Sequence, residues 1–186
     1  MTDDSLLFVA LVIGALVVTF IILWMRRASQ PRGVARPSRR KAPRRADDWI
    51  LVDGSNVMHW QDGQPQIAAV ALTVRKLESL GYEPGVVFDA NAGWKLLNRY
   101  LHDGDFAAML GLERRQVLVV PKGTQADPFL LEKAREFAAK IVTNDRYRDW
   151  AEAYPEVLEP GFLIRGGARS GEVWLKGLVG VKEAAV

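Results

Sequence analysis

Asp145 and Asp149 stand four residues apart in Thr143-Asn144-Asp145-Arg146-Tyr147-Arg148-Asp149, directly after the apolar pair Ile141-Val142. If a helix begins after Asn144, the two carboxylates share one face and lie one turn apart. Neighbouring anions repel, and a divalent cation is one way to hold them; hard oxygen ligands suit magnesium. Arg146 and Arg148 offer the plainer alternative, neutralising the pair in a solvated surface network. The chain has no cysteine and two histidines, His59 and His102. Disulfides, thiolate metal sites and a cysteine nucleophile are therefore excluded, and a histidine-rich zinc site is disfavoured. Any metal must be held by oxygen.

The elements that would position these acids follow from the apolar patterning. Asp48-Trp49-Ile50-Leu51-Val52 reads as a buried strand that ends in the polar turn Asp53-Gly54-Ser55-Asn56. Residues 66–80 have helical spacing, with Gly81 as the stop. Gly85–Asp89 is a second strand. Residues 94–111 read as helix in two pieces, broken near Asp103-Gly104-Asp105. Gln116–Val120 is a third strand, Asp127–Ala139 a helix and Lys140–Thr143 a fourth strand. Residues 146–153 read as a short helix, and Gly161–Arg165 and Glu172–Leu175 as closing strands. Apolar strands alternating with helices predict an α/β fold, a doubly wound, mostly parallel sheet covered on both faces.

In such sheets ligands sit beyond the carboxyl ends of the strands. Asp53 ends the first strand, Asp89 the second, Asp145 follows the fourth, and Asp127 opens the helix after the third. Four carboxylates from distant parts of the chain are thus expected on one edge. Each has a plainer account: Asp127 before Pro128 reads as a helix cap, and Asp53 before Gly54 as turn chemistry. Taken singly these accounts are strong, but they do not explain the shared edge.

Upstream, residues 1–5 form a short tail, and Leu6–Met25 is twenty residues without a charge. A helix of that length spans ~30 Å, the hydrocarbon thickness of a bilayer. The start is acidic and the run long, unlike a cleavable signal peptide, so a single uncleaved transmembrane helix is expected. Nine Lys/Arg and no acid lie in residues 26–45, which predicts a cytoplasmic C-terminal domain. Residues 26–47, with Pro31, Pro37 and Pro43, read as a disordered basic linker that rests on lipid headgroups or captures RNA. Residues 46–186 carry sixteen Lys/Arg against twenty Asp/Glu, so the pI of about 9.3 describes the linker and not the domain. Homodimerisation stays open: the span holds Gly14-Ala15 but no Gly-x-x-x-Gly motif.

Asp53-Gly54-Ser55-Asn56-Val57, Asp127 at the head of a helix, and Thr143–Asp149 together resemble the NYN branch of the PIN-like ribonucleases, the regnase-type domains above all. The resemblance covers roughly residues 48–165, within a domain drawn at 48–186, and implies a PIN-like, Rossmann-like fold and a magnesium- or manganese-dependent endoribonuclease acting on single-stranded or structured RNA. Asp53, Asp127, Asp145 and Asp149 fall on the family's acidic cluster, and Asn56 on the polar residue of its first motif. The chain departs at Ala126, where regnase-type domains often carry a second acid beside the one matched by Asp127. It also lacks the zinc finger that some relatives use for RNA.

On that resemblance, Asp53 and Asp145 are expected as direct or water-mediated metal ligands. Asp127 and Asp149 would hold metal-bound waters, and Asn56, Ser55, Thr143 and Asn144 would support the ligands. Lys122, Arg146 and Arg148 would bind flanking phosphates, or are simply surface charge. Trp60 is a candidate for stacking on a base, and His59 reads as a polar loop residue. Trp94 and Trp150 read as core or rim. Two alternatives compete with the nuclease. One is a module of the same fold that binds RNA or a protein partner at the membrane without cutting. The other is an aspartate-based phosphatase, disfavoured because no acid stands two residues after Asp53.

Overall fold

Trp49–Asp53 forms strand β1, and its side chains alternate between two layers. Ile50 and Val52 face one core and Leu51 the other. The computed structural model describes residues 48–181; Leu6–Met25 and residues 26–47, which carry the expected span and linker, lie outside them. Among the described residues, no helix is long and apolar enough to cross a membrane.

β1 is the centre of a five-stranded sheet. With β2 (Glu83–Phe88), β3 (Val117–Val119), β4 (Lys140–Val142) and β5 (Leu163–Ile164), the order is β3-β2-β1-β4-β5, and every pairing is parallel. The helices are α1 (Gly54–Val57), α2 (Ile67–Ser79), α3 (Ala92–Leu97), α4 (Asp103–Leu110) and α5 (Ala126–Glu136). On one face of the sheet, Val70, Val74 and Leu77 of α2 and Phe106 and Leu110 of α4 pack on Ile50, Val52, Val86 and Phe88. The Phe88 and Phe106 rings stack at 4.0 Å. On the other face, Leu130, Leu131 and Ala134 of α5 cover Leu51, Val87 and Ile141. Each such Val, Leu, Ile or Phe side chain, fully buried, contributes about 1.5–3 kcal/mol. Two covered faces and parallel strands are the architecture the apolar runs predict.

Three expectations are corrected. The helical stretch breaks at residues 98–102, not at Asp103-Gly104-Asp105. Asn98 closes α3 in a left-handed conformation, and the chain folds back so that a Cβ on Gly93 would lie 2.6 Å from the Arg99 carbonyl oxygen. Asp103 and Asp105 open α4 instead, because Asp105 accepts from the His102 N–H in a capping box. Residues 146–153 form no α-helix: Tyr147 has φ +47°, and only Arg148–Trp150 makes a 3₁₀ turn. Glu172–Leu175 does not close the main sheet. It is β7, paired antiparallel with β6 (Gly166–Arg169) in a separate hairpin.

Candidate active site

β1 and β4 are in register at Val52 and Val142, so Asp53 and Thr143 emerge side by side at the carboxyl end of the sheet. Thr143 is fully buried, and its hydroxyl donates to Asp53 Oδ2 at 3.0 Å. The Tyr147 hydroxyl donates to the same oxygen at 2.9 Å. The Asn56 N–H donates to Asp53 Oδ1 at 3.0 Å, so this carboxylate also caps α1. Burial pushes the Asp53 carboxyl up to about 6 despite these three donors, and the charge of Asp127 adds to the rise. Burial and the adjacent Asp53 charge raise the Tyr147 hydroxyl, which keeps its proton and remains a donor.

A polar network extends from this pair. Thr143 Oγ1 accepts from the Asp145 N–H at 3.0 Å, and Asp145 Oδ1 accepts from the Tyr147 N–H at 2.9 Å. Asn56 Oδ1 accepts from the Asn144 N–H and the Trp60 indole N–H, each at 2.9 Å. Ser55 Oγ accepts from the Asp89 N–H at 2.8 Å, tying β2's end to β1's. The Asn144 side chain reaches outward, donating to the Gly166 carbonyl at 2.9 Å and accepting from the Gly166 N–H at 3.2 Å.

Asp127 lies in the first turn of α5, where an anion is favoured by the helix dipole. Gln125, not Asp127, holds the N-cap position. Asp127 shares a cavity of about 440 Å³ with Asp89, Gln125, Ala126, Asp149 and Trp150. Its pKa is raised by burial, then by the charges of Asp145 and Asp89, while a hydrogen bond from the Trp150 side chain opposes the rise. The left-handed Tyr147 thus interrupts the expected helix: Asp145 accepts from the Tyr147 N–H and sets its charge against Asp127, while Asp149 lines the Asp127 cavity.

Among the described residues, no three acidic or histidine side chains form a ready metal cage. The donor chemistry still suits a hard cation. The groups are all oxygen, and Asp127 sits against the like charges of Asp145 and Asp89, a crowding that a dication relieves. Magnesium keeps several waters and uses one or two carboxylates, so it requires no cage.

Lys122, Arg146 and Arg148 are exposed, and none forms a salt bridge with a described carboxylate. The His59 ring bonds the Gly63 carbonyl, at 3.1 Å. Trp60 turns inward: its ring lies under Gly166, 2.6 Å from where a Cβ there would stand. Trp94 is 54% exposed rather than core. Two contributors escaped the sequence-based site. Asp89 was legible as a strand end but not as a wall of the Asp127 cavity. Tyr147 gave no signal, because its part depends on a left-handed backbone within a segment read as helix.

A doubly wound parallel sheet with aspartates at its carboxyl edge matches the fold of a PIN-like NYN domain. The chain belongs to the Zc3h12a-like ribonuclease NYN domain family, which matches residues 46–159. No curated protein matches the chain. Two structures of the nuclear protein-only RNase P 2 of Arabidopsis thaliana share its fold. A crystal structure superposes with a TM-score of 0.52 and 21% identity, covering 72% of this chain and 30% of that one. The second superposes with a TM-score of 0.52 and 19% identity, covering 93% of this chain and 35% of that one. The chain therefore spans about a third of the length of those structures.

Proposed function

We propose that the chain is a divalent-metal-dependent endoribonuclease that cuts single-stranded or structured RNA at a membrane. The observation that carries this reading is the convergence of Asp53, Asp89, Asp127, Asp145 and Asp149 on the carboxyl side of a ribonuclease-family sheet. Asp53, Asp127, Asp145 and Asp149 would hold magnesium or manganese. When bound, the metal supplies charge neutralisation at the phosphate and activation of water. Asp53 Oδ1 accepts one described hydrogen bond, from Asn56, and so keeps a lone pair for this role. Asp127, whose pKa is raised by burial and by the charges of Asp145 and Asp89, would orient the attacking water and take its proton as the phosphorus–oxygen bond to the leaving group breaks. Ser55, Asn56, Thr143 and Asn144 keep the edge in place. Lys122, Arg146 and Arg148 bind phosphates on either side of the cut.

Membrane attachment is proposed from the uncharged stretch Leu6–Met25 and the nine cations that follow, with the catalytic domain in the cytoplasm. Fractionation with protease protection tests it; recovery of the full chain in the soluble fraction overturns it. Ala126, in the cavity beside Asp127, favours one second reading: an RNA- or protein-binding module that cuts poorly or not at all.

The deciding experiment incubates the full chain with labelled single-stranded RNA, with and without magnesium or manganese, beside Asp145→Asn. Asparagine keeps a carbonyl oxygen for the Tyr147 N–H, so the variant folds. Metal-dependent cleavage that falls at least ~100-fold in the variant supports the nuclease and its site. Binding without cleavage by the unaltered chain selects the binding module.

A further inference from the structure

The β6–β7 hairpin lies beyond the residues that match the family, so family membership assigns it no role. Its two faces differ. Gly166, Ala168, Val173 and Leu175 turn inward, with Trp60 against Gly166 and Leu175 packed on the core. Gly167, Arg169, Glu172 and Trp174 turn outward.

Trp174 is 56% exposed, an unusual setting for the largest apolar side chain. It is opposite Gly167 in the hairpin register, and its indole is pressed onto that glycine. A Cβ at Gly167 would stand 2.8 Å from the indole Nε1 and 2.9 Å from Cε2 and Cζ2. Only glycine lets the ring settle there. The backbone thus supports one side of the indole while solvent reaches the rest. Continuing the strand alternation puts Arg165 and Lys176 on this same face, joined through the Lys176 N–H and the Arg165 carbonyl at 2.7 Å. Arg165, Arg169 and Lys176 form no salt bridge with a described carboxylate, and Glu172 is the lone acid among them. The two hydrogen bonds between Asn144 and Gly166 fasten the hairpin to the loop that carries Asp145.

An open indole, flanked by cations that pair with no described carboxylate and tied to the acidic edge, fits one kind of partner. We propose that Trp174 stacks on a base of single-stranded RNA, beyond the scissile bond, while Arg165, Arg169 and Lys176 hold the phosphates around it. The inference rests on the ribonuclease reading above and extends it to a substrate subsite.

Binding is measured by fluorescence anisotropy with the full chain carrying Asp145→Asn, so that RNA stays intact. The probes are a labelled single-stranded RNA and copies with one abasic position each. Trp174→Ala is expected to weaken binding about tenfold, and Trp174→Phe to restore most of the loss. Gly167→Ala, which keeps every aromatic atom but displaces the indole, should weaken binding as Trp174→Ala does. One abasic position should cost the Trp174 chain that same factor and cost the alanine variant nothing further. Equal affinity of the alanine variant for intact RNA overturns the proposal, as does an abasic loss that persists without Trp174. Failure of the chain to bind RNA at all also overturns it. Metal-dependent cleavage by the Asp145 chain then tells whether the catalytic reading falls with it.

Discussion

The Tyr147 hydroxyl donates to Asp53 Oδ2 at 2.9 Å, joining residues 94 positions apart in the sequence. Tyr147 reaches it from a left-handed backbone and is itself 98% removed from solvent, with a relative exposure of 2%. The bond both orients the carboxylate and favours its charged form.

Tyr147→Phe removes that donor with little change in shape. A hydrogen bond to a charged group contributes about 1.5–3 kcal/mol, so the urea midpoint should fall accordingly. Loss of a donor also raises the Asp53 pKa further, and the acid limb of the pH–rate profile should move to higher pH. An unchanged limb would show that Asp53 does not control it.

Stability should depend on pH through Asp53, whose carboxyl titrates at about 6 in the fold against 3.8 unfolded. The folded state binds this proton more tightly. Its contribution is therefore complete below the unfolded value and is lost as pH rises through about 6. Between roughly pH 5 and pH 7, without divalent ions, this group should cost about 1 kcal/mol, read from denaturant midpoints. Asp127 acts in the same direction. Asp53→Asn should flatten the profile over that interval.

Magnesium should stabilise the chain by relieving the repulsion among these carboxylates. At ten times its dissociation constant a ligand adds about 1.4 kcal/mol, or ~3–5 °C in Tm. The gain should be larger at pH 7 than at pH 5, where a proton competes for Asp53. Asp145→Asn should reduce it. Equal shifts in both chains would remove Asp145 from the metal's ligands.

Gly54→Ala tests the support of the site instead of its chemistry. The added Cβ would stand 2.5 Å from Cε1 of Phe88, a buried ring stacked on Phe106. Overpacking costs about 1–3 kcal/mol, which a helix-propensity gain of up to ~1 kcal/mol partly offsets. The denaturant midpoint should fall with the m-value unchanged.

Much of the fold is legible in the residue order because apolar runs and helical spacing are local properties. Ile50-Leu51-Val52 and Ile141-Val142 announce strands buried on both faces, and Val70, Val74 and Leu77 announce a helix with one buried stripe. Such runs imply parallel pairing, and parallel pairing places every strand's carboxyl end on one edge. The expected gathering of Asp53, Asp89, Asp127 and Asp145 follows from that rule.

Backbone handedness at single residues is not legible in this way. Tyr147 adopts a left-handed conformation that local propensity disfavours, and the bond from its hydroxyl to Asp53 holds it there; Asn98, a residue type that tolerates this conformation, closes α3 in it. A single left-handed residue replaced the helix expected after Asn144, so Asp145 and Asp149 do not share a helical face.

The sequence by itself determined the α/β class, the order of strands and helices, and which edge collects the acids, since each depends on apolar periodicity. Only the tertiary structure decided which partners each acid meets. Asp53 became a half-buried carboxylate with three donors, Asp127 an acid crowded by Asp89 and Asp145, and Trp174 an open indole on Gly167. Those environments arise from contacts between residues far apart in the chain, and no local pattern encodes a distance across the fold.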